Sequence, residues 1–377
     1  MRNRKSDYTL NVVARWFVGL VFIFSSLVKG VDPMGTMFKV QEYMSNWSIG
    51  SFGFEWALPM AGFLSMALIC AEFTVGVMLI TGVYRLLSAW LLALMMLFFT
   101  CTTLIDAITN KVTDCGCFGD AIKLTNWQTF WKNVVLDVPT VWIVITRRVR
   151  YKRMFERDGL TMIAAAAAMT VFGLYNIKHE PIVDFRPWKI GNKMVVEHEV
   201  MNHLTVRNLK TGEEKVVSYR NGEWESVPQE YKNGKQWEIV SSTTDEPVEI
   251  KADGFSMLNM ENEDYAAELL RTEEGLLIIT IYDLDKLDNK AGESVRRAMR
   301  RAEEAEVQAV LLTSCLPEEI QGWLHDNQLD ALDYYFADGT AIKAMMRGNP
   351  GFMFIKDAIV VDKGRKARDL NMGDDNL

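Results

Sequence analysis

The sequence predicts an α-helical membrane bundle, then a small β-rich region, then a terminal α/β domain. Three observations predict it. Long apolar runs crowd the chain before Tyr175, charge clusters crowd it afterwards, and strand-like and helix-like stretches alternate from about Gly254. At 377 residues the chain is long enough for two or three domains, and its 49% hydrophobic share averages over two unlike parts. The expected partition is 1–150 for a four-helix membrane domain, 151–190 for a fifth transmembrane helix and tether, 191–258 for the β-rich region and 259–377 for the α/β domain. The net charge of −8 is concentrated in the second part, in runs such as Glu261-Asn262-Glu263-Asp264 and Glu303-Glu304-Ala305-Glu306. Such a domain is a poor nucleic-acid binder, so no nucleic-acid partner is expected and the runs read as solvated helix faces.

The basic stretch Met1 to Lys5 precedes an apolar run from about Leu10 to Val28. That run is too long for the core of a cleavable signal and no small-x-small site closes it, so it reads as a retained span. Further spans are expected at about Ala57 to Gly82, Leu86 to Ile105, Trp127 to Thr146 and Gly159 to Tyr175. The fourth is interrupted by Lys132, Asn133 and Asp137. Lys and Arg set the orientation. Arg2, Arg4 and Lys5, then Arg85, then Arg147, Arg148, Arg150, Lys152, Arg153 and Arg157 all fall on one side if five helices alternate. That side is cytoplasmic, with Lys29, Lys39, Lys111 and Lys123 dissenting weakly. The protein is then expected in the cytoplasmic (inner) membrane, multi-pass, in contact with the lipid bilayer. Its amino terminus lies inside, and everything after Tyr175 lies on the periplasmic, extracytoplasmic side.

The loop between the third and fourth spans contains Asp114-Cys115-Gly116-Cys117-Phe118-Gly119-Asp120, two of the five cysteines one residue apart. On this orientation it faces the compartment where disulfides persist. Cys101 lies near the same membrane face, Cys70 within the second span and Cys315 in the soluble part, and an odd count leaves at least one thiol unpaired within the chain.

After the tether Asn176 to Ile190, short β-forming stretches at Val195-Val196, Leu204 to Val206, Lys215 to Tyr219 and Trp237 to Val240 are separated by turn signals at Thr211-Gly212, Asn221-Gly222 and Asn233-Gly234. They predict a small antiparallel sheet. Then Leu276 to Tyr282 reads as a buried strand and Gly292 to Ala305 as a helix. Val310 to Thr313 is a second strand, Pro317 to Asn327 a helix opened by proline, and Tyr334 to Phe336 a third strand. Ala341 to Met346 is a short helix, and Phe352 to Val361 a hairpin around Lys356-Asp357.

Several pieces occurring in order resemble the DoxX family and its MauE branch, known from methylamine utilisation. They are Arg15, Phe24-Ser25-Ser26 and Lys29; Asp32-Pro33-Met34-Gly35, Lys39 and Glu42-Tyr43; Glu72 and Gly76; then Val112 to Asp120, Leu124-Thr125 and Trp127. The resemblance covers about Asn11 to Arg147. It implies a DoxX-like four-helix bundle, and in the MauE branch the handling of disulfides outside the membrane beside a thioredoxin-like partner. The terminal part, about Gly275 to Gly364, resembles a thioredoxin fold. Its specific piece is Arg347-Gly348-Asn349-Pro350-Gly351, which is similar to the cis-proline turn of that fold. The resemblance places an active dithiol after the first strand, but Asp283 to Asp288 there holds no cysteine. This domain therefore runs no dithiol chemistry alone, while Asn349 and Pro350 remain candidates for binding an extended chain.

Cys115 and Cys117 are the candidate catalytic redox pair. Residues two apart reach disulfide distance, Gly116 relaxes the backbone, and strained or exposed disulfides tend to be oxidising. The alternative is a static staple of the two thiols, or of one with Cys101. Asp114 and Asp120 oppose a lowered thiol pKa, and Lys111 and Lys123 are the cations nearest in sequence. No metal is expected, because a lone Cys-x-Cys cannot complete a tetrahedral site and His179, His198, His203 and His325 lack ligand spacing with it. Glu72 is a second catalytic candidate, as an intramembrane carboxylate beside Arg15 and Lys29 on a quinone or proton path. The alternative is a plain Glu72–Arg15 pair, and Asp106 and Asp137 read as interfacial. Trp127, Phe130 and Trp131 read as an interfacial aromatic belt. Two functions remain open. One is a membrane thiol–disulfide oxidoreductase serving a periplasmic thiol protein, with quinone as an acceptor. The other is a non-catalytic scaffold or assembly factor whose terminal domain binds a periplasmic partner.

Overall fold

The computed structural model describes residues 4–46, 48–49, 52–110, 112, 116–122, 124–146, 158–179, 181, 183–197, 201–220, 223–232, 234–244, 248–252 and 254–372. The chain divides into two compact units, Met1–Arg186 and Pro187–Leu377.

In the first unit, α1 (Arg4–Val31) is followed by α2 (Pro33–Asn46), the short strands β1 (Ser48–Ile49) and β2 (Phe52–Gly53), and a 3-10 turn at Glu55–Met60. The helices α3 (Ala61–Thr81), α4 (Arg85–Thr109), α5 (Asn126–Ile145) and α6 (Asp158–Lys178) complete it. Among the described residues, four stretches are long and apolar enough to cross a membrane: Asp7–Val31, Glu55–Thr81, Arg85–Thr109 and Asp158–Lys178. The sequence leaves the stretch after α1 as a loop, but it forms α2. Asp32 accepts a hydrogen bond from the Gly35 amide at 3.0 Å, as an N-terminal cap does, and Pro33 opens the first turn.

The bundle core joins Val18 and Phe22 of α1, Val75 and Leu79 of α3, Leu92 and Met96 of α4, and Leu136 and Ile143 of α5. The helices α1 and α3 meet at glycines. A Cβ built on Gly76 lies 2.9 Å from the Gly19 carbonyl oxygen, and one on Gly19 lies 3.0 Å from that of Gly76. Close backbone approach through small residues is how helices pack where no hydrophobic effect drives them together. Helix α5 presents two faces. Val135, Val138, Val141 and Ile145 point outward, whereas Asn133 and Asp137 point at α4.

The second unit opens with β3 (Val195–Glu197), β4 (Met201–Asn208), β5 (Glu214–Arg220), α7 (Gln229–Lys232), β6 (Trp237–Thr244) and β7 (Val248–Ile250). Strands β5, β4 and β6 form an antiparallel sheet with β4 central, and β3 pairs with β7. Then come α8 (Ala266–Leu270), β8 (Leu276–Ile281), α9 (Ala291–Glu304), β9 (Gln308–Thr313), α10 (Pro317–Asp326), β10 (Asp333–Phe336), α11 (Gly339–Met345), β11 (Gly351–Lys356) and β12 (Ile359–Gly364). These strands form one sheet in the order β10-β9-β8-β11-β12. Strands β8 to β10 run parallel, and β11 runs antiparallel to both β8 and β12.

Strand β8 is buried on both faces along its length, which is why it reads as an unbroken apolar run rather than an alternation. On one face Leu277, Ile279 and Ile281 pack on Val295 and Ala298 of α9 and on Ile320 and Leu324 of α10. On the other, Ile278 and Met353 pack with Ile342 and Met345 of α11. That second core also takes in Trp188, Met194, Val195, Phe255 and Met257, so it reaches far back along the chain. Residues 191–194 lie along β12. The Gly191 amide donates to the Val360 carbonyl at 2.8 Å and the Met194 amide to the Ala358 carbonyl at 2.7 Å.

Candidate functional site

The cysteine-bearing loop joins α4 to α5, and one amide gathers its ends. Asn126 Nδ2 lies 2.9 Å from the Val112 carbonyl and 3.2 Å from Asn110 Oδ1. Thr125 caps α5: its hydroxyl accepts from the Gln128 amide at 3.3 Å, and its own amide donates to Gln128 Oε1 at 3.0 Å. Between these anchors the chain turns at Gly116 to Gly119, closed by the Gly119 amide donating to the Gly116 carbonyl at 3.0 Å. Both glycines have positive φ, 60° and 51°, where a side chain is strained.

The turn rests on α1. Phe118 meets Phe24 with ring centroids 5.6 Å apart, and Lys132 Nζ of α5 sits 4.5 Å over the Phe118 ring. A small pocket beside Cys117 is lined by Gly116, Phe118, Gly119, Ile122, Leu124 and Thr129. Beneath it, the Cys117 carbonyl oxygen is 2.8 Å from Ser25 Oγ, and Ser25 Oγ is 3.1 Å from Glu72 Oε2. The other carboxylate oxygen, Oε1, takes a charged hydrogen bond from Lys29 Nζ at 2.6 Å. Glu72 and Lys29 are 1% and 6% exposed, so two opposite charges are buried together.

Cys115, Asp114, Lys111 and Lys123 lie outside the described residues, so Cys117 is the half of the candidate pair whose surroundings are defined. The cations brought toward Cys117 from elsewhere are Lys132, over the neighbouring Phe118, and Lys29, through Glu72 and Ser25. The Glu72–Arg15 pair gives way to Glu72–Lys29. Arg15 lies about 20 Å along α1 from Lys29 at the 1.5 Å rise of a helix. There Arg15 Nε donates to Asn11 Oδ1 at 2.9 Å, and Asn11 Nδ2 donates to Thr146 Oγ1 at 2.5 Å. Asp106 is buried, and the Tyr43 hydroxyl of α2 donates to its Oδ2 at 2.6 Å. Asp137 accepts from Thr100 Oγ1 at 2.9 Å. Cys101 is an exposed thiol, and Cys70 Sγ lies 3.2 Å from Thr170 Oγ1. In the sequence Ser25 stands only as part of Phe24-Ser25-Ser26 and Lys132 only as an interruption of the fourth span, and nothing there ties either, or Asn126, to the cysteine loop. The one available signal is that Ser25 and Lys29 are four apart and so share a helix face.

In the second unit Asn349 and Pro350 stand at the end of β8, joined by a cis peptide bond. The Asn349 side chain is occupied by backbone: Nδ2 donates to the Asp283 carbonyl at 2.5 Å and Oδ1 accepts from the Tyr282 amide at 3.0 Å. Ser314 Oγ donates to the Tyr282 carbonyl at 3.2 Å, tying the ends of β8 and β9 together. Within Asp283 to Asp288, Leu284–Lys286 form a short 3-10 turn, and Lys286 pairs with Asp283. Burial holds the Tyr282 phenol above its ordinary value, and burial and then Lys286 lower the Lys343 ammonium, which stands 5.6 Å from the Tyr282 ring. Among the described residues no group of three or more His, Cys, Asp or Glu is placed to hold a metal ion.

These helices, with their lipid-length apolar stretches and a charge pair sealed inside, define a multi-pass membrane protein. The family model for methylamine utilisation protein MauE matches residues 7–146, from within α1 through α5 and including the cysteine-bearing loop. No curated protein and no solved structure matches the chain.

Proposed function

We propose that this protein is a membrane thiol–disulfide exchange protein in an accessory role of the methylamine-utilisation type. Cys115 and Cys117 trade disulfides with an extracytoplasmic thiol protein. Oxidation of the pair to a disulfide releases two electrons and two protons, which a quinone takes up on becoming a quinol. The observation that carries the reading is the anchoring of the Cys117 turn, through Ser25, on a buried Lys29–Glu72 pair inside the bundle. A mere linker between helices has no need of a buried, hydrogen-bonded charge pair, which is costly in lipid and characteristic of sites.

The reading takes α5 as a fifth span. Its polar side chains find partners on α4 and its outward face is apolar, as a span requires. Five crossings put the cysteine loop and the second unit in the periplasm, with the amino terminus inside. It also takes the last sheet and its helices as a thioredoxin-like domain of a DoxX/MauE-type protein. Support comes from three parallel strands, β8 at the centre of the five-stranded sheet, antiparallel β11 and β12, and helices on both faces. Asn349 and Pro350 then sit where an extended partner chain would lie. Trapping thiols in intact cells with an alkylating mass tag tests the proposal. Cys115 and Cys117 shift between tagged and untagged forms with oxidant and reductant; a pair that never changes state overturns it.

A second reading, a non-catalytic scaffold, is favoured by one observation. The stretch Asp283 to Asp288 contains no thiol. Replacing Cys115 and Cys117 together by Ser separates the two. Function kept at normal membrane levels favours the scaffold, and function lost favours exchange.

A further inference from the structure

We infer that Ser25 is the positioning residue of the cysteine turn, and that the Lys29–Glu72 pair decides where its single proton points. This deepens the exchange reading of the same loop and rests on it for its purpose, though not for its geometry.

A serine hydroxyl has one hydrogen to donate. Two acceptors compete for it: the Cys117 carbonyl at 2.8 Å and Glu72 Oε2 at 3.1 Å. A bare buried carboxylate is much the stronger acceptor and would take the proton. Lys29 changes the contest, because its ammonium lies 2.6 Å from Oε1 and offsets the charge of the carboxylate. The proton is then released to the nearer Cys117 carbonyl, and the turn is held against α1. The contact falls on the residue that carries the thiol. Its loss loosens the Cys117 backbone at that point while the Asn126 amide and the Thr125 cap still hold the loop ends.

The arrangement predicts an order of effects that packing alone does not. Ser25→Ala removes the donor. Lys29→Met leaves Glu72 to claim the proton, so both variants release the turn. Glu72→Gln removes the competing charge, and its amide donates to Ser25 Oγ, so the turn stays held. Ser25→Thr keeps a hydroxyl.

The test is the rate at which a water-soluble maleimide labels Cys117 in the full-length protein, fully reduced, in detergent. Peptide mapping reads each cysteine separately, with Cys315 as internal reference. Labelling of Cys117 rises about fivefold in Ser25→Ala and Lys29→Met, the scale of one lost hydrogen bond. It stays within about twofold of the parent in Glu72→Gln and Ser25→Thr, because the hydrogen bond is kept. An unchanged rate in Ser25→Ala overturns the inference. So does an equal rise in Glu72→Gln, which would mean the turn is held by the intact charge pair and not by where the Ser25 proton points. If Lys29→Met does not assemble, the contrast between Ser25→Ala and Glu72→Gln decides alone. Because the thiols are reduced beforehand, the result stands whether or not the pair cycles in cells.

Discussion

Glu72 and Lys29 lie 2.6 Å apart with side chains 2% and 7% exposed, so removing either strands the other in an apolar interior. Glu72→Ala is expected to cost about 3–5 kcal/mol of stability, while replacing both by Met recovers most of the loss. Thermal unfolding of the purified protein in detergent measures both. That an ionisable residue stood inside α3 was legible, since its apolar flanks run on either side of Glu72. Its partner was not. The choice between Arg15 and Lys29 depends on helix register, set where Gly19 faces Gly76. In that register position 72 of α3 comes opposite Ser25, one turn short of Lys29 and far from Arg15. Likewise Lys111 and Lys123 are the cations nearest the cysteine loop in sequence, whereas Lys132 arrives from the next helix by its contact with Phe118.

Helix α1 meets α3 with no room for a side chain at Gly76, where a Cβ would come within 2.9 Å of the Gly19 carbonyl oxygen and 3.1 Å of the Ile23 amide nitrogen. Gly76→Val is therefore expected to force the helices apart and cost about 1–3 kcal/mol, as overpacking does. The same unfolding measurement checks it, and labelling of Cys117 should rise with it. Element types were readable wherever periodicity was long. The spans, the buried strand β8 and the hairpin of β11 and β12 follow from apolar runs and turn residues. The helix α2 was hidden because Pro33 to Asn46 mixes polar and apolar residues without a span's length, and its cap, Asp32-Pro33, was the signal passed over. For α5 the interruptions at Lys132, Asn133 and Asp137 obscured the pattern. The fold reveals that Asn133 and Asp137 face α4, with Asn133 Nδ2 donating to Thr103 Oγ1 at 3.1 Å.

At the scale of the whole molecule, the status of α5 decides on which side of the membrane everything after Lys178 resides. With α5 as a span, a reporter fused behind Leu377 is active only outside the cytosol, and one placed after Thr146 only inside. Alkaline phosphatase and green fluorescent protein fusions give complementary readings, and activity in the opposite compartment for either site would return the count to four. The second unit has its own lesson. A boundary at 259, where composition suggests a terminal domain begins, leaves behind Trp188, Met194, Val195, Phe255 and Met257, all part of its core. The chain enters this unit by running along β12, hydrogen-bonded to Val360 and Ala358, with Trp188 buried just upstream. A terminal domain cut free of residues 191–194 would therefore lose the backbone partners that Ala358 and Val360 find there.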